Sequence, residues 1–167
     1  MEGSSAAEGS RERALDFSRL HRSELIGFVG AAVLFASLVL PWFETNPDNE
    51  NALINSKAGS FSAWETFAQL DWWLVAACSA PFILAYIIIR GHDLTWRPGE
   101  ITMIVGMTAA VLIVLNGIVL GRPGEPDSEI SIKIGYLVGI LGAALICLGG
   151  IIRQAEGDRG RKPPGTL

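Results

Sequence analysis

Residues 134–152 read IGYLVGILGAALICLGGII and contain no Asp, Glu, Lys, Arg or His. A bilayer hydrocarbon core of roughly 30 Å needs about 20 helical residues to cross it, and a charge at its centre costs about 2.5 to 3.5 kcal/mol. The stretch has the length and composition that this requires. It therefore predicts a transmembrane helix.

Three more stretches share this property, at residues 25–43, 72–89 and 101–120. With 167 residues in the chain, no remaining segment is long enough for a separate soluble domain. We therefore predict an all-α membrane protein, a bundle of four antiparallel transmembrane helices that occupies residues 24–153. The predicted flanks are a tail over residues 1–23, in which Ala14, Phe17 and Leu20 suit a short helix on the membrane surface, and a disordered tail over residues 154–167.

Basic residues predict the orientation of this bundle. Ten of the 13 Lys and Arg residues lie in the two termini and the loop after the second stretch. Lys57, Arg122 and Lys133 occupy the other two loops. Because basic residues concentrate on the cytoplasmic side, we expect a multi-pass plasma-membrane protein with both the N and C termini in the cytoplasm.

The first outer loop contains Ser62-Ala63-Trp64-Glu65, the pattern of a capping box at a helix start. Since neither Gly nor Pro follows until Pro81, the second helix is expected to begin at Ser62 and to continue into the membrane. Pro81 should kink it by removing one backbone hydrogen bond.

The composition offers little basis for catalysis. Cys78 and Cys147 both fall within apolar stretches, and neither His21 nor His92 has a Cys or His partner at ligand spacing. Phosphate loops, nucleophile elbows and paired intramembrane carboxylates are missing from the sequence, as is a basic patch with interleaved aromatics. We expect a non-enzymatic protein without catalytic residues, cofactor or metal, and with no nucleic-acid partner.

Small residues mark the fourth stretch as a packing element. Gly135 and Gly139 form a GxxxG pair, and Gly142 follows them. Such residues let helix backbones approach closely in lipid. Two interpretations remain open, packing within the bundle and packing between protomers.

Two polar residues are candidates for a functional role at membrane depth. Asn116 is the only amide in the four stretches, and we expect it to bond to a neighbouring helix. Asp71 borders the second stretch, and Lys133 or Arg122 could pair with it. We expect Asp71 to be a hydrated interfacial carboxylate, and the pairing is the alternative.

The sequence Leu40-Pro41-Trp42-Phe43, followed by Ser62-Ala63-Trp64-Glu65-Thr66-Phe67, resembles small, uncharacterised four-span integral membrane proteins of actinobacteria. That resemblance implies no activity. The leading hypothesis is a membrane protein in the lipid bilayer that acts by packing with itself, as a homo-oligomer, or with a membrane partner. The alternative is a small transporter or channel subunit whose pore forms only on oligomerisation.

Overall fold

The computed structural model describes residues 22–90 and 98–159. The predicted surface helix before residue 22, as well as His21 and His92, lies outside the described residues. In chain order the elements are α1 (Arg22–Ser37), β1 (Pro41–Thr45), β2 (Ser60–Ser62), α2 (Ala63–Thr66), α3 (Leu70–Ile89), α4 (Pro98–Val114), a π-helical turn (Leu115–Val119), a 3₁₀ turn (Asp127–Glu129), β3 (Ile130–Ile132) and α5 (Ile134–Arg159).

Three of the helical segments are long and apolar enough to cross a membrane, namely Leu70–Ile89, Gly99–Val119 and Ile134–Glu156. The helices predicted at residues 72–89, 101–120 and 134–152 are thereby confirmed. α5 lies between α1 and α4 and packs most extensively against both, while α3 packs against the other sides of α1 and α4. The result is a ring of four helices.

The first predicted span is only partly a helix. α1 ends at Ser37, and Pro41–Thr45 forms a strand instead of the last helical turn. Pro41 disfavours the helical conformation at the residue before it, Leu40. In addition, the Trp42 indole N–H donates to the Ser37 carbonyl over 2.7 Å and satisfies this helix end. The prediction of a helix through Phe43 is therefore wrong.

The second predicted helix is interrupted. Glu65 accepts hydrogen bonds from the backbone N–H and the hydroxyl of Ser62, so the predicted pairing at the helix start is confirmed. The helix stops after Thr66, however, because Phe67 is extended and packs its ring against Trp42 and Phe43. Continuation from Ser62 into the membrane is wrong, since this tertiary contact outweighs local helix preference.

A small antiparallel sheet covers one end of the bundle, in the order β2-β1-β3. β1 pairs with β2 from the first outer loop and with β3 from the second. The two loops also pair directly, because Leu53 and Glu125 exchange backbone hydrogen bonds of 3.0 Å. The all-α prediction did not include this sheet, which we call the cap together with its loops (residues 41–66 and 121–133).

An aromatic cluster joins the cap to the bundle. Trp42, Phe43, Phe67 and Tyr136 pack with ring centroids 5.5 to 6.5 Å apart. Three of these four side chains are at most 1% exposed. The cap and the helices therefore share one apolar core.

At the other end of the bundle, α5 continues beyond the membrane-length segment. It runs to Arg159, so the disorder predicted from residue 154 is wrong up to that residue. Contacts from two other helices account for the extension. Ser23 donates to Glu156 over 2.8 Å, and Gln154 donates to Glu100 over 3.5 Å.

Candidate functional site

The glycines predicted to mediate packing lie on the face of α5 that meets α1 and β1. A Cβ on Gly135 would lie 2.6 Å from both the Pro41 carbonyl oxygen and the Trp42 ring. On Gly139 it would lie 2.9 Å from the Trp42 ring, and on Gly142 it would lie 2.5 Å from the Leu34 nitrogen. Of the two open interpretations, the structure shows this face engaged within one protomer.

Asp71 lies in the first turn of α3 and is 1% exposed. Its Oδ1 has no hydrogen-bond partner. Neither predicted partner reaches it, because Lys133 pairs with Glu44 and Arg122 donates to the Ile130 carbonyl. The structure therefore contradicts a hydrated Asp71. A buried oxygen left without a partner costs about 1 to 3 kcal/mol, which makes this carboxyl group unusual.

Asn116 lies in the π-helical turn at the end of α4. Its amide donates to the Leu112 carbonyl of its own helix over 2.9 Å, so the predicted bond to a neighbouring helix is wrong. A hydrogen bond between helices is made here by Tyr136 of α5, whose hydroxyl donates to the Ile113 carbonyl of α4 over 3.0 Å. Gly117 lies against the Tyr136 ring, where a Cβ would overlap it.

The widened turn therefore has a local cause. Tyr136 inserts its ring beside a residue without a side chain, and its hydroxyl binds a carbonyl just before the turn. Insertion of a side chain into the helical hydrogen-bond ladder is a recognised cause of such distortions. The sequence placed Tyr136 in a transmembrane stretch but gave no signal for its partner.

A groove runs along the outside of the bundle between α3 and α4 and encloses about 260 Å³. We call it the α3–α4 groove. It is almost wholly apolar, being lined by Trp73, Ala76, Ala77, Ile104, Val105, Thr108, Ala109 and Leu112. Thr108 is exposed, and its hydroxyl makes no hydrogen bond within the part of the chain that the structure describes. The groove thus presents small side chains and one unsatisfied hydroxyl on the outside of the bundle.

Two adjoining hollows in the cap share Arg122 and Ser128, and we call them together the Arg122 cleft. They enclose about 650 and 480 Å³. The first is also lined by Gly117, Ile118 and Asp127, and the second by Glu44, Glu129 and Lys133. From the sequence, Arg122 and Lys133 were predicted only as possible partners of Asp71. The cleft itself could not be predicted, since it depends on the pairing of the two outer loops.

Charged groups also meet at the opposite end of the bundle. Arg153 of α5 pairs with Glu24 of α1 over 3.3 Å. Together with Ser23 and Thr102 they surround a cavity of about 20 Å³ that Pro81 helps to line. This cluster ties α1 and α5 together beside Pro81 of α3, and the sequence did not indicate it.

A metal site has no basis in residues 22–90 and 98–159, because they hold no group of three or more His, Cys, Asp or Glu side chains that could bind an ion. Cys78 and Cys147 are both free thiols, on α3 and α5 respectively.

Comparison with protein-family models, with curated proteins and with solved structures finds no match for this chain.

Proposed function

We propose that the protein is a non-enzymatic integral membrane protein with four spans that acts by packing its helices against a second copy of itself or another membrane protein. The observation that carries the proposal is the α3–α4 groove. Apolar contact alone gives little drive for association in lipid, so small side chains and polar groups mark helix contact surfaces there. The groove has both, in Ala76, Ala109 and the unsatisfied Thr108 hydroxyl.

The packing of α1 supports the fourth span. Its 16 residues reach about 24 Å at 1.5 Å per residue, which is short for a bilayer. Yet α1 lies antiparallel and in close contact with α5, from Ser37 beside Gly139 to Ser23 beside Glu156. If α5 crosses the membrane, α1 occupies the same depth. Together with the distribution of basic residues, this supports a plasma-membrane bundle with both termini in the cytoplasm.

The test is a substitution that fills the groove without disturbing the protomer. Ala76 lies in the groove and is exposed, so Ala76→Leu adds bulk only toward a partner. Ala32→Leu is the matched control, because Ala32 is exposed on α1 outside the groove. The masses of the wild type and both variants in mild detergent, and the proteins that co-purify with them, are the measurements.

We expect Ala76→Leu to reduce the oligomer or the captured partner, and Ala32→Leu to resemble the wild type. Thr108→Val should weaken association more mildly, by about 0.6 kcal/mol, the average for a hydrogen bond between membrane helices. A wild type that is monomeric and retains no membrane protein would contradict the proposal. Equal losses in Ala76→Leu and Ala32→Leu would show that the groove is not the contact surface.

A second candidate function is a small transporter or channel subunit, and the buried Asp71 with its unpartnered oxygen favours it. Polar groups that are costly to bury in membranes often belong to ion pathways. The pore would form only on oligomerisation. Ion flux from wild-type vesicles that Asp71→Asn reduces would support this function over simple packing, whereas zero flux from the wild type would eliminate it.

A further inference from the structure

Arg122 and Asp127 carry opposite charges in the same hollow without pairing. Arg122 uses one N–H to reach the Ile130 carbonyl, and it makes no ion pair among the described residues. A guanidinium has five N–H donors, so most of its binding capacity is unused. Asp127 lines the same hollow, and its carboxylate has no basic partner within residues 22–90 and 98–159.

The other charges of the Arg122 cleft are already engaged. Lys133 pairs with Glu44, and Glu129 accepts a hydrogen bond of 2.7 Å from the Asn46 amide. The two charged groups of the cleft without a side-chain partner among the described residues are therefore the Arg122 guanidinium and the Asp127 carboxylate. This combination fits a ligand that carries both an anion and a cation, and it disfavours a simple anion.

The position of the cleft indicates where such a ligand comes from. Ile118 lines the first hollow and is 58% exposed at the end of the segment Gly99–Val119, which is apolar enough to cross a membrane. The adjacent Leu120 is 75% exposed. At the start of α3 the exposed Trp72 and Trp73 match the aromatic belt found at membrane interfaces. Apolar surface thus leads from the membrane directly to the charged hollow.

We propose that the Arg122 cleft binds the headgroup of a phospholipid that carries a phosphate and a primary ammonium, with the phosphate on Arg122 and the ammonium near Asp127. Arg binds phosphate oxygens through paired N–H donors, and the acyl chains would lie along Ile118 and Leu120. The site rests on the membrane placement proposed above, but it does not depend on association through the α3–α4 groove.

The experiment is native mass spectrometry of the full chain in detergent, with phosphatidylethanolamine, phosphatidylcholine or phosphatidylglycerol added separately. We expect the wild type to retain phosphatidylethanolamine best. Arg122→Gln should reduce its retention about tenfold, as expected for loss of a charge-assisted contact. Arg90→Gln is the matched control, because it removes one exposed arginine charge at the far end of α3 and should have no effect.

Two further variants keep the test decisive if Arg122→Gln does not fold. Arg122→Lys retains the charge but loses the planar fork, so retention should fall less. Asp127→Asn should remove the preference over phosphatidylglycerol. Unchanged retention in Arg122→Gln, or in both of these variants, would overturn the site, as would a wild type that prefers phosphatidylglycerol. The same spectra show whether the protein is an oligomer. A monomer that retains phosphatidylethanolamine would refute the proposed packing function but not the lipid site. An oligomer that retains no phosphatidylethanolamine would refute the lipid site but not the packing function.

Discussion

The contact between α5 and α1 should be sensitive to a single methyl group at Gly142. A Cβ at this position would lie 2.5 Å from the Leu34 nitrogen, 2.7 Å from its Cα and 2.8 Å from its Cβ. Two of these are backbone atoms, which cannot move without shifting α1 as a whole. Gly142→Ala therefore forces the two helices apart.

Gly27 provides a matched control in the same bundle. It is also a buried helical glycine, but a Cβ there would meet Pro81 at 3.7 Å and Thr102 at 3.9 Å, which are ordinary contacts. Overpacking of a well-packed core costs about 1 to 3 kcal/mol, and replacing Gly by Ala inside a helix gains about 0.5 to 1 kcal/mol. At the upper end of the overpacking cost, Gly142→Ala should lower the free energy of unfolding by about 2 kcal/mol net. Gly27→Ala should raise it by about 0.5 to 1 kcal/mol.

The assay is thermal unfolding of both variants in the same mild detergent, followed by tryptophan fluorescence and circular dichroism. One kcal/mol shifts Tm by about 2 to 4 °C for a chain of this size. The difference of about 3 kcal/mol therefore predicts that Gly27→Ala melts about 6 to 12 °C above Gly142→Ala. If Gly142→Ala melts at or above the temperature of Gly27→Ala, close backbone approach does not stabilise this contact.

Two other predictions concern single contacts, and a third concerns the orientation of the bundle. Tyr136→Phe removes the hydroxyl donor to α4 and should lower the free energy of unfolding in detergent by about 0.6 kcal/mol, with the melting curve otherwise of the same shape. In intact cells, an impermeant thiol reagent should label Asn49→Cys but not Ser4→Cys, and the reverse would overturn the orientation. The backbone N–H and hydroxyl of Ser62 both lower the pKa of Glu65, so Ser62→Ala should raise that pKa toward its ordinary value, as measured by NMR titration. Folding lowers the Glu65 pKa, so ionised Glu65 stabilises the fold at pH values above its pKa in the unfolded chain. This stabilisation is lost as the pH falls through the pKa of the folded protein. Ser62→Ala should therefore lose less stability over that pH range than the wild type.

The helices could be predicted from the sequence because their signal is one-dimensional. A run without charges needs no knowledge of its neighbours, and three of the four runs are membrane-length helices in the structure. The end of the first run shows the limit of this signal. Trp42 and Phe43 are apolar in a strand as well as in a helix, and apolarity alone does not separate the two. Their strand conformation depends on pairing with residues near positions 61 and 132.

The same distinction between local patterns and long-range contacts applies to the candidate sites. Glycine spacing predicted a packing face on α5, because helical periodicity places Gly135, Gly139 and Gly142 near one another. The partner of Asn116 and the burial of Asp71 could not be predicted in this way. Each depends on a contact with an element far along the chain, or on the lack of one, and a single sequence carries no record of such contacts.

The aromatic cluster explains why the cap should hold a defined cleft although it consists mostly of loops. Trp42 binds the end of α1 through its indole N–H, and Tyr136 binds α4 through its hydroxyl. Both rings also contact Phe43 of β1, the central strand of the sheet. Since β3 pairs with β1 and carries the Ile130 carbonyl that accepts from Arg122, a series of consecutive contacts links the guanidinium to the bundle. Movement of α4 relative to α5 would therefore displace Arg122, so occupancy of the cleft and helix packing are expected to affect each other.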